Sequence, residues 1–168
     1  HLRRIALEPA RYPHPNQVLN AVIVAAYNES YDVIAPPIRA LAETHYDRAR
    51  LAVVFAYEER GGMPMLSTAR RLREEFVDAF AAFELVCHPR DLPGEIAGKG
   101  ANISFAGRAV QQWAQQHGID PSRVLITTLD CDNKPHANYF DCVTYHFIVH
   151  ANRTRAARSE EPREGKDS

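Results

Sequence analysis

Two carboxylates one residue apart close an apolar, β-branched run, Val124-Leu125-Ile126-Thr127-Thr128-Leu129-Asp130-Cys131-Asp132. The run reads as a buried strand that ends in a metal site. If residues 129–132 stay extended, the period of two places the carboxylates of Asp130 and Asp132 on the same side of the backbone. Two such charges repel unless a cation lies between them or one of them stays protonated. Carboxylate oxygens suit a hard divalent ion, and Mg²⁺ or Mn²⁺ held by one or two carboxylates completes its shell with substrate phosphates and water. A phosphorylated, nucleotide-linked ligand is the chemistry this predicts. Plain turn chemistry fits the same residues, because Asp is a good turn former and Asn133-Lys134-Pro135 follows. A short D-x-D alone does not separate the two readings.

The elements around the pair sharpen the choice. Strand-like runs at Ala21–Ala26, Leu51–Ala56, Phe83–Cys87 and Val124–Leu129 are short, apolar and free of internal Gly or Pro. They alternate with helix-like runs, the pattern of a largely parallel sheet with helices on both faces. The first helix carries Ile34, Ile38 and Leu41, with Pro36 and Pro37 near its start, where first-turn N–H groups lack acceptors anyway. The second presents Leu66, Ala69, Leu72, Phe76 and Phe80 on one face. The third, from about residue 101 to 117, presents Ile103, Ala106, Val110 and Trp113 and stops at Gly118, with Pro121 beyond. A last helix, from about 136 to 150, carries Phe140, Val143 and Phe147. These stripes read as core, including the lone Trp113.

The whole chain sets bounds on what such a site can serve. Its 168 residues make one domain with room for a real core. A formal net charge of -1 leaves no broad basic field, so nucleic acid is not an expected partner. Cys87, Cys131 and Cys142 form no C-x-x-C pair and suit a reducing compartment. No apolar run approaches the ~20 residues that span a bilayer, so the domain is expected to be soluble and cytoplasmic. The expected division is an N-terminal extension over 1–19, a ligand-binding domain over 20–150 and a charged, disordered tail over 151–168.

In open α/β sheets ligands bind outside the carboxyl ends of the strands, so the strand exits are read together. The first strand ends in Ala26-Tyr27-Asn28-Glu29, the second in Tyr57-Glu58-Glu59-Arg60-Gly61-Gly62, and the fourth in Asp130-Cys131-Asp132. After the third, a loop from His88 to Ile96 leads into Ala97-Gly98-Lys99-Gly100-Ala101-Asn102 at a helix start. Glycines let backbone N–H groups approach an anion, the helix N-terminus adds partial positive charge and Lys99 a full one. This is a diphosphate cradle facing the acidic pair.

Taken in order, these four segments resemble the nucleotide-sugar-dependent glycosyltransferases of family 2, which have the GT-A fold. The resemblance covers about residues 20–147 and implies a Rossmann-like, mostly parallel α/β domain with an incomplete acceptor half. It implies that Tyr27, Asn28 and Glu29 line the nucleotide pocket, that Glu58 meets the base or ribose, and that Lys99 and Asn102 face the phosphates. Asp130 would lie toward the ribose and metal, and Asp132 would ligate Mg²⁺ or Mn²⁺ directly. The implied activity is inverting transfer of a sugar from a nucleoside-diphosphate sugar to an acceptor hydroxyl on a glycan, lipid or small molecule. Many relatives carry membrane helices after the catalytic domain, so the resemblance also implies a parent protein anchored in the membrane with this domain facing the cytoplasm.

Two departures qualify the match. Family members usually have an Asp-Asp-Gly-Ser type sequence after the second strand, where this chain has Glu58-Glu59-Arg60. Only 36 residues follow Asp132, so no catalytic base can be named and weak or absent turnover is expected from this segment alone. Two other readings stay open: a nucleotide-binding fragment without catalysis, and a phosphatase or phosphotransferase using Asp130 as nucleophile. Among single residues, Tyr27 and Asn28 also fit a turn, Glu58 and Glu59 a solvated loop, and Lys99 a surface lysine. Cys142, His146 and His150 share a helix face, but their spacing matches no common zinc pattern.

Overall fold

The computed structural model describes residues 12–95 and 98–149. The expected tail, His150 and most of the expected N-terminal extension lie outside the described residues. Four parallel strands form one sheet: β1 (Leu19–Ala26), β2 (Leu51–Glu58), β3 (Ala82–His88) and β4 (Val124–Asp130), in the order β3-β2-β1-β4. Between them run the helices α1 (Tyr31–Ala42), α2 (Gly62–Phe76) and α3 (Lys99–Gln116), and α4 (Tyr139–Val149) follows β4. The expected α/β architecture is the one found.

The central strands explain themselves by composition. β1 and β2 are buried along their whole length, as continuous Val, Ile, Ala and Phe runs must be when both faces are covered. On one face Val22, Val24, Val53 and Phe55 pack with Ile34 and Leu41 of α1, Leu72 and Phe76 of α2, and Phe140 of α4. On the other, Ala21, Ile23, Val54 and Ala56 pack with Ala106 and Val110 of α3. Helices therefore cover both faces, with α3 alone on the second among the described residues.

Several expectations need correction. Among the described residues β4 is an edge strand rather than a buried one: there it pairs with β1 only, and its Ile126, Thr128 and Asp130 are exposed. Pro36 and Pro37 lie inside α1 rather than at its start, because the helix begins at Tyr31. Each removes one backbone donor, and the burial of Pro37 and Ile38 offsets that loss. Phe80 lies beyond the end of α2, stacked on Phe83. The buried line of α3 is Asn102, Ala106, Val110 and Ala114, with Ile103 and Trp113 on its flanks. Ala106, Val110 and Ala114 let that helix lie on the sheet face formed by Ala21, Ile23, Val54 and Ala56. α4 buries Phe140, Thr144 and Ile148 fully, while Val143, which packs against the core, and Phe147 are only partly buried. The buried Asn20 amide of β1 needs a partner, and it donates to Thr144 Oγ1 at 2.9 Å, which turns the polar residue inward.

Candidate functional site

Strand order decides where a ligand can sit. From β1 the chain builds outward to β2 and β3, then returns to place β4 on the opposite side of β1. In sheets of this kind ligands sit outside the carboxyl ends of the strands beside the point where the order reverses, here between β1 and β4. A cleft of about 430 Å³ lies there. Tyr27 and Glu29 line it from the end of β1, Glu58 from β2, Lys99 and Asn102 from the start of α3, and Asp130 and Asp132 from the end of β4. Asn28 is next to the cleft and exposed, and is not part of its lining.

β4 stops at Asp130, and the next residues turn: the Asn133 N–H donates to the Asp130 carbonyl at 3.0 Å. The same-side placement expected of an extended 129–132 segment therefore does not apply. A turn brings Asp132 to the cleft instead. Asp130 is paired directly with the Lys99 ammonium, and both side chains remain about half exposed. The lysine is the first residue of α3, so its charge sits where unbonded helix N–H groups also point. Lys99 thus meets Asp130 directly, and Asp132 lines the same cleft.

Glu29 holds the turn after β1. Its carboxylate accepts from the N–H groups of Tyr27 at 2.7 Å and Asn28 at 3.2 Å. Partial burial raises its carboxyl, but these backbone bonds and a bond from the Cys131 thiol outweigh that, so it titrates below its ordinary value. Cys131 is buried between the two aspartates, and burial, with the Glu29 and Asp132 charges, pushes its thiol up to about 11. It serves as a neutral donor that ties the β4 turn to the β1 turn.

Glu58 is 4% exposed, and its charge is met by Arg60, whose Nε donates to Oε2 at 2.7 Å and whose other nitrogen contacts the same oxygen. The guanidinium also lies 4.9 Å from the Tyr27 ring centroid. Tyr27, Arg60 and Glu58 thus form a stack along one wall. Asn102 is buried beneath it, and its amide N–H₂ donates to the carbonyls of Ala56 at 3.1 Å and Ala26 at 3.4 Å. Its carbonyl oxygen has no protein partner. The side chain joins the last turns of β1 and β2 and forms the floor of the cleft.

Arg60 and Cys131 lie in the cleft although no motif singled them out. Adjacency was the available signal, since Arg60 follows Glu58 by two residues and Cys131 separates the aspartates. A smaller cavity of about 190 Å³ between α3 and the sheet is walled mainly by Ala21, Ala52, Ala82, Val54 and Trp113, with Glu84 among the polar residues at it. Its walls converge on no catalytic set. Cys142 and His146 are exposed, and the described residues contain no cluster of three or more His, Cys, Asp or Glu side chains fit to hold a metal.

The donor set nevertheless suits one kind of ion. Asp130 and Asp132 present hard oxygen donors to solvent in the cleft, and a Mg²⁺ or Mn²⁺ ion that takes two protein carboxylates draws its remaining ligands from phosphates and water. Among the described residues, no helix is long and apolar enough to cross a membrane.

No protein-family model and no curated protein matches the chain. Among solved structures it is similar to the mannosyltransferase PcManGT from Pyrobaculum calidifontis, determined in complex with GDP-Man and Mn²⁺, with a TM-score of 0.54 and 21% identity over 86% of this chain. TarS 1–349 from S. aureus, in complex with UDP-GlcNAc, gives a TM-score of 0.48 and 17% identity, covering 78% of this chain and 31% of TarS. This chain spans 39% of the PcManGT chain. The likeness to PcManGT is one of fold: a parallel α/β sheet flanked by helices, shared with a glycosyltransferase.

Proposed function

We propose that this chain is the donor-binding part of a glycosyltransferase that transfers a sugar from a nucleoside-diphosphate sugar to an acceptor hydroxyl. One observation carries the reading: the residues expected from four separate segments, except Asn28, line a single cleft at the point where strand order reverses. The fold shared with a mannosyltransferase supports it.

In this reading the Tyr27 ring and Arg60 face the nucleobase, and Glu58 accepts from the base or ribose. Lys99 and the first N–H groups of α3 receive the diphosphate. Asp130 and Asp132 hold Mg²⁺ or Mn²⁺, which would offset charge developing on the departing nucleoside diphosphate. The transfer is a direct displacement with inversion, and the acceptor and the catalytic base lie beyond what this cleft supplies. The family 2 assignment and the division into a 20–150 domain with flanking segments belong to the same proposal.

Thermal unfolding with GDP, UDP or dTDP, each with and without Mn²⁺, tests it. A ligand bound only to the folded state at 100 times its Kd adds about 2.7 kcal/mol, a rise of several degrees for a domain of this size. At least one diphosphate should raise the midpoint, and more with Mn²⁺ than without. No rise with any of the three would overturn the reading.

A further inference from the structure

The contact between Lys99 and Asp130 has a consequence for the order in which ligands enter. Asp130 is the carboxylate at the strand end, Lys99 opens the helix opposite, and the two form an ion pair in which each side chain stays about half exposed. A divalent ion approaching Asp130 must first displace an ammonium group already there. The described residues also offer that ion no third acidic or imidazole ligand. Metal alone therefore meets a competitor and finds no more than two carboxylates in exchange for its water. A diphosphate relieves both, because its oxygens attract Lys99 away from Asp130 and add anionic ligands to the two carboxylates.

We infer that Lys99 is a built-in stand-in for the divalent cation, which keeps metal affinity low until a diphosphate arrives and so couples metal and nucleotide binding. This rests on the donor-site reading above. It adds that the coupling comes from a single side chain that exchanges one anionic partner for another. By linkage, metal must then strengthen diphosphate binding by the same factor that diphosphate strengthens metal binding.

The experiment counts free Mn²⁺ by electron paramagnetic resonance during titration of the 168-residue chain, with and without GDP, UDP or dTDP. Wild type is compared with Lys99→Met and Lys99→Arg, with circular dichroism confirming that all three fold. Removing the ammonium should tighten Mn²⁺ binding in the absence of nucleotide by about three- to tenfold, the scale of one exposed ion pair plus repulsion of a nearby divalent charge. The factor by which diphosphate improves Mn²⁺ affinity should shrink in Lys99→Met and persist in Lys99→Arg, which keeps the charge. If wild type binds Mn²⁺ with diphosphate but Lys99→Met binds Mn²⁺ alone no more tightly, the inference fails and the donor-site reading stands. Absence of Mn²⁺ binding to wild type even with all three diphosphates removes both.

Discussion

Glu29 shows how one side chain can shape a site without being its chemistry. Its carboxylate gathers the N–H groups of Tyr27 and Asn28 and the Cys131 thiol, so it fixes the turn that leads Tyr27 into the cleft. Replacing it with alanine leaves those donors unpaired. Hydrogen bonds to a charged group contribute about 1.5–3 kcal/mol. We expect Glu29→Ala to lose about 1–2 kcal/mol at pH 7 after discount for solvent exposure, read by urea unfolding. The pH dependence has a definite sign. The folded carboxyl titrates below its ordinary 4.5, so its contribution is full above that value and fades as the pH falls through the depressed folded one. Wild type and Glu29→Ala should converge in stability in that acid range, and a gap that stays constant down to pH 3 would show that Glu29 stabilises through packing alone. The sequence marks Glu29 as a site residue by its place after β1. That its carboxylate turns back onto its own backbone is a matter of local geometry that residue type does not encode.

At the scale of elements, the cleft depends on how tightly β1, β2 and α2 meet. Asn102 ties the first two through the carbonyls of Ala26 and Ala56 near their ends, and Gly61 lets the third approach. A Cβ at Gly61 would lie 2.5 Å from the Tyr27 carbonyl oxygen and 2.7 Å from Met65 Cβ. Its backbone is ordinary helical, with φ -69 and ψ -11, so close approach is the whole reason for glycine there. Gly61→Ala must push the Tyr27 turn away from α2, at a cost of about 1–3 kcal/mol for an overpacked contact. Diphosphate affinity should fall with it, because Tyr27 moves. Calorimetric titration with the best diphosphate and a urea series on the same sample check both, and an alanine variant as stable as wild type would mean that the contact relaxes freely. Helix and strand identities were readable because apolar periodicity reports them directly. The offsets by one residue in α3 and α4 were not readable, since which side of a stripe goes inward depends on partners such as Asn20 and the alanines of the sheet.

The whole molecule carries one imbalance that no segment reveals alone. Apolarity suggests burial for Val124–Leu129, yet burial belongs to the neighbours, and strand order is not written in periodicity. Among the described residues β4 lies at an edge with β1 as its one partner, and Ile126, in register with Ala21, is 50% exposed. Edges of parallel sheets are normally covered, or blunted with Lys, Pro or a bulge. Val124–Leu129 has none of those residues, and backbone groups that pair with no strand among the described residues can template another strand. We expect the 168-residue chain to associate with rising concentration through this edge. Ile126→Lys should shift it toward monomer in sedimentation velocity, with stability changed by less than about 0.5 kcal/mol because the side chain lies at the surface. Equal association of both proteins would place the contact elsewhere. A wild type that stays monomeric throughout would show that the edge is already protected. Association through β4 would also carry the cleft with it, since Asp130 ends that strand, so the same substitution should leave diphosphate binding unchanged per chain while it abolishes any concentration dependence of that binding.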